Sequence, residues 1–176
     1  STLNGQTTVN NSLDVTGALN VTGITTLNNN LTVTGNTTLS GTSTLNGQTT
    51  VNNSLDVTGA LNVTGATTLN NNLTVTGNTT LSGTSTLNGQ TTVNNSLDVT
   101  GALNVTGITT LNNNLTVTGN TTLSGTSTLN GQTTVNNSLD VTGALNVTGA
   151  TTLNNNLTVT GNTTLSGTST LNGQTT

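Results

Sequence analysis

The 176-residue chain contains no lysine, arginine or histidine, no cysteine, and no proline, methionine, phenylalanine, tryptophan or tyrosine. Each absence excludes something. Without Lys or Arg the chain cannot neutralise phosphates, and without aromatics it cannot stack bases, so nucleic acid is not an expected partner. The same lack of cations removes attraction to an anionic membrane surface. No apolar run approaches the length of a transmembrane helix, and no signal peptide is recognised, so no membrane insertion is expected. The absence of cysteine means that neither disulfides nor a thiolate zinc site holds the fold. Catalysis has little raw material, because Asp14, Asp56, Asp98 and Asp140 are the only ionisable side chains and stand one per repeat. Acid–base pairs, triads and metal clusters need partners that are missing, so no catalytic, cofactor or metal residues are expected and the chain is read as a non-enzyme.

What remains is strictly ordered. Hydrophobic residues make up 28% of the chain and the net charge is −4, a balance that resembles low-complexity disorder until the placement is examined. The segment from Ser1 to Thr42 recurs at Ser43, Ser85 and Ser127 and begins again at Ser169. Residues 1–176 therefore form one continuous fibrous region of four 42-residue repeats and an eight-residue stub. The copies differ at one place, where Ile24, Ala66, Ile108 and Ala150 alternate, so the full period is 84. Identity this close reflects recent duplication, unequal crossing-over or design.

Inside each repeat lie seven hexads, beginning at Gly5 with GQTTVN, NSLDVT and GALNVT. Position one is always Gly or Asn, and all 21 glycines fall on it. Position five is always Val or Leu, and position three is Leu, Thr or Ser. Gly and Asn adopt positive φ most readily, so position one predicts a tight corner built on that conformation. Positions three and five share parity and face one side of an extended segment, while polar position four faces the other. Thr and Val favour strands, and a helix gives no reason for Gly every sixth residue. A strand of four or five residues, a corner and another strand, repeated throughout, predict an all-β fold: a β-solenoid of hexapeptide repeats.

Two windings share a six-residue side. One chain can close a triangular coil of 18 residues, or three parallel chains can each supply one side of every layer. Forty-two is not a multiple of 18, and the hexads balance their own volume: Leu13 goes with Val15 and Leu31 with Val33, whereas Thr25 goes with Leu27 and Thr37 with Leu39, with Thr7 and Val9 the one underfilled exception. A layer of three identical hexads requires such balance to reach native packing density. The expected architecture is therefore a homotrimeric triple-stranded β-helix. The alternative is a single-chain left-handed-type β-helix with 18-residue coils.

The strings LNVTG (19–23), LTVTGNTTLSG (31–41) and ATTLNNNLTVTG (66–77) resemble the hexapeptide-repeat shafts of phage tail fibres and related bacterial surface fibres. The resemblance covers the whole chain and lies in repeat texture, with no catalytic motif. It implies a trimeric, extended, extracellular, cell-surface or virion-borne shaft. The expected function is a stiff structural segment of a longer fibre, or a subunit stacking end to end, with itself as partner. The alternatives are an ice-binding β-solenoid using outward arrays such as Thr32-Val33-Thr34, or an engineered repeat nanofibre. Ile24 and Ile108, at position two, are candidates for lateral contacts between fibres. Asn10, Asn20, Asn30 and Asn36 match the N-glycosylation acceptor pattern, as chance alone provides in a chain so rich in Thr and Asn.

Overall fold

The computed structural model describes residues 1–176, and every hexad becomes one short strand. There are 29 strands, from β1 (Thr2–Leu3) and β2 (Thr7–Val9) through β3 (Leu13–Val15) and β4 (Leu19–Val21) to β29 (Ser169–Leu171). Each strand pairs in parallel with the strand three further along the chain, so Thr2 lies beside Asn20, Thr7 beside Thr25 and Leu13 beside Leu31. The step is 18 residues throughout. Two ten-stranded sheets and one nine-stranded sheet form the three faces of a prism, headed by β1, β2 and β3 respectively. The fold is a β-solenoid, its parallel strands stacked in about nine turns of 18 residues. At about 4.8 Å per coil the stack is on the order of 45 Å long.

The strands span three residues, shorter than the four or five expected, but the backbone ladder reaches further. The position-three amide donates to the position-two carbonyl one coil up, as from Thr7 N to Ile24 O at 2.8 Å. The position-six amide donates to the position-five carbonyl one coil down, as from Asn28 N to Val9 O at 2.9 Å. Bonds of this kind repeat along the chain at 2.8–3.1 Å, so five of every six residues join the ladder and only the bend at position one stands outside it.

The parity expectation holds completely. All 47 buried residues occupy positions three and five. Thirty-four are Leu or Val in one continuous apolar column, and the other 13 are Thr or Ser at position three. Eleven of those hydroxyls have no hydrogen-bond partner. The first and last coils, covered on one side only, leave Leu3, Val9, Leu165 and Leu171 half-buried.

The corners form where expected but for a different reason. Only Gly5 has positive φ, at 103°, and no other residue of any type does. The positive-φ corner is thus overturned. Crowding explains the glycine instead. A Cβ on Gly83 would lie 2.6 Å from the carbonyl oxygen of Gly65, one coil below, and 2.8 Å from the amide nitrogen of Ala66. At such glycines the backbone of the corner below comes too close for a Cβ, whereas corners that carry asparagine, such as Asn53 and Asn71, accommodate one.

Candidate functional surface

The outward side chains sit at positions four and six of each strand and at the corners. The 42-residue repeat spans two 18-residue coils and one further side, so each repeat is turned by one face relative to the last. The four carboxylates follow this rotation. Asp14 and Asp140 lie on the face headed by β3, Asp56 on that headed by β1, and Asp98 on that headed by β2. All are exposed, and their paired neighbours are hydroxyls: Asp56 stands between Thr38 and Thr74, and Asp98 between Thr80 and Thr116. No two carboxylates adjoin, and no group of acidic side chains is placed to hold a metal ion.

Ile24 and Ile108 are about half exposed, the only large apolar side chains so presented. They precede strands of two different sheets, so the two side chains fall on different faces and form no single lateral stripe. The Thr32-Val33-Thr34 array behaves likewise, its copies at 74–76 and 116–118 lying on the other two faces. Along one face the outward Thr are interrupted. Position four of the β3 face reads Asp14, Thr32, Thr50, Thr68, Thr86, Asn104 and onward. The one surface recess, about 140 Å³, lies between the stacks Thr86–Asn104–Thr122 and Asn88–Thr106–Ser124 over buried Val105. It holds no ionisable group.

The corners carry the most developed polar structure. Asn28 Nδ2 donates to Asn10 Oδ1 at 2.9 Å, and Asn46 Nδ2 donates to Asn28 Oδ1 at 3.0 Å. The same three-rung ladder forms from Asn52, Asn70 and Asn88, from Asn94, Asn112 and Asn130, and from Asn136, Asn154 and Asn172. A hydroxyl then closes the chain of donors, as Thr64 Oγ1 donates to Asn46 Oδ1 at 3.5 Å and Thr106 Oγ1 to Asn88 Oδ1 at 3.2 Å. A second ladder stands beside the first at position one, where Asn71 donates to Asn53 at 3.2 Å and Asn113 to Asn95 at 3.1 Å. Nearby, Asn30 Oδ1 accepts the backbone N–H of Gln48 at 3.0 Å. These bonds went unforeseen in the sequence, although the signal was present: every such pair is 18 residues apart. Of the acceptor-pattern asparagines, Asn10, Asn30 and Asn36 are tied into bonds of this kind, and Asn20 projects from mid-strand with its amide free.

No family model, curated protein or solved structure matches the chain.

Proposed function

We propose that the protein is a structural shaft, a stiff non-catalytic rod that holds what it joins at a fixed separation. The observation that carries this reading is the equivalence of the three faces. Seven hexads on a three-sided coil move each feature of the 42-residue repeat to the next face in turn, so no face is reserved for a ligand. Three chains wound together would make the faces equivalent by symmetry, so the reading is independent of the winding. A continuous apolar column and an unbroken axial ladder supply stiffness, and a coat of hydroxyls and amides keeps the outside wet. The resemblance to phage tail-fibre and bacterial surface-fibre shafts supports the same reading and, with it, a location outside the cell or on a virion. The proposed partner is more of the same. The edge strands β1 and β29 are each paired on one side only, and either fits a further coil of the same kind.

The test uses the absence of cysteine, which makes two introduced thiols unique. With Ser12→Cys and Ser166→Cys, both at exposed sites, dyes are separated by between eight and nine coils, about 40 Å. Single-molecule energy transfer is expected to show one narrow population at that distance, unchanged by salt. A broad population that shifts with ionic strength would mean a flexible chain and would end the shaft reading.

A further inference from the structure

We propose that the 42-residue repeat is written for a coil that a single chain closes by itself, with the asparagine ladders as its register lock. The argument rests on spacing. Position six of the seven hexads reads Asn10, Thr16, Thr22, Asn28, Thr34, Ser40 and Asn46. In the single-chain coil the vertical neighbour is 18 residues away, and in that order the same residues read Asn10, Asn28, Asn46, Thr64, Ser82, Thr100, Thr118. All asparagines become consecutive, each amide donates to the rung below at 2.8–3.0 Å, and the first hydroxyl after them donates to the last free oxygen. Position one behaves the same way, since Asn11 and Asn29 are 18 apart and every other hexad of the repeat has Gly there. At position two, Asn30 lies 18 residues before Gln48, whose N–H it accepts, and the pattern recurs at Asn72 with Gln90 and at Asn114 with Gln132.

A three-chain layer predicts a different order. There each chain climbs one layer per hexad, so residues six apart stack. Asn10 would meet a Thr16 type and Asn11 a Gly17 type, at position six only Asn46 and Asn52 would adjoin, and at position two only Asn30 and Asn36. Sorting of asparagines by 18 has no use in that winding. In the coil it has one. Because side chains alternate with period two while the hexads are so alike, a coil slipped by one hexad would keep its core, and only the ladders distinguish the correct neighbour. Each Asn–Asn–Asn–Thr chain from residue 10 to 64 also exceeds 42 residues, so it ties one repeat to the next.

The test is a swap that keeps composition constant. In every repeat, Asn28, Asn70, Asn112 and Asn154 become Ser while Ser40, Ser82, Ser124 and Ser166 become Asn. With an 18-residue step, no two position-six asparagines now adjoin within the chain. With a six-residue step, three in a row are created at 40, 46 and 52. The expected results are a solution mass of 17.4 kDa for the parent and a lower melting temperature for the swapped chain. A mass three times larger, or a melting temperature unchanged or raised by the swap, overturns the proposal. If the swapped chain does not fold at all, the parent's solution mass decides the winding and a converse variant tests the lock: Thr64→Asn with Thr106→Asn and Thr148→Asn lengthens three ladders to four asparagines. It is expected to melt higher than the parent, and a lower melting temperature counts against the lock.

Discussion

The buried hydroxyls offer the sharpest energetic prediction. Thr121 is fully buried, its Oγ1 has no partner, and the residues in register above and below it are Leu103 and Leu139. Its counterparts in other repeats are placed alike, Thr37 between Leu19 and Leu55, and Thr79 between Leu61 and Leu97. Valine has the same branched shape and replaces the hydroxyl with a methyl that meets the same leucines. Leaving a buried hydroxyl unpaired costs roughly 1–3 kcal/mol, so relieving it is worth about 1 kcal/mol even at the low end. The three sites lie on three faces in different repeats with no shared neighbours, so their effects add. The variant carrying Thr37→Val, Thr79→Val and Thr121→Val is therefore expected to gain about 3 kcal/mol, read as a higher urea midpoint at unchanged slope. A loss of stability would refute the reasoning. It would mean that the hydroxyls are bonded in the native protein, as they would be if identical hexads of three chains met around an axis.

Two further predictions test parity and crowding. Val33 is fully buried, so Val33→Asp places an unpaired carboxylate in the apolar column and is expected to cost several kcal/mol and lose the cooperative melt, whereas Thr50→Asp puts the charge at an outward position flanked by Thr32 and Thr68 and leaves the melt intact. Equal tolerance in circular dichroism melts would reverse the assignment of faces. Gly83→Ala forces a methyl to within 2.6 Å of the Gly65 carbonyl and is expected to cost about 1–3 kcal/mol, while Gly17→Ala, with nothing within 4 Å of the added carbon, is close to neutral. Indistinguishable denaturation midpoints for those two variants would show that close approach is not what holds glycine at the corner.

The hexad made the core legible because burial follows parity, and parity needs only the alternation of side chains along a strand. Leu19, Val21, Leu31 and Val33 could be placed inside with no knowledge of the winding. The corner was legible as a position but not as a conformation. Gly and Asn share two properties, tolerance of positive φ and small size, and composition cannot say which one a site uses. Gly23 and Gly83 use the second, since what they avoid is the backbone one coil below, and Gly5 alone adopts the first. The strand lengths differed because three residues are flat enough to pair in register, while positions two and six share the ladder and begin the bend. The asparagine ladders were harder to see. Their partners stand 18 residues apart in a 42-residue repeat, so no single repeat displays the complete donor chain that ends at Thr64.

The mismatch between 42 and 18 also bears on how the few charges and exposed apolar side chains of the coil are distributed over its faces. A repeat of six or nine hexads would return every copy to the same face, and all four aspartates would then stand on one side. The other two faces would be long, flat, neutral sheets of Thr and Asn, the kind of surface on which β structures stack. With seven hexads, each successive carboxylate moves to the next face while climbing about 11 Å, a little more than the screening length at physiological salt. Asp14, Asp56, Asp98 and Asp140 thereby place a charge on every side, and Ile24 and Ile108 are kept from aligning into an apolar seam by the same rotation. Seven hexads leave a remainder of one when divided among three sides, so each repeat presents its charge and its outward side chains one face on from the last.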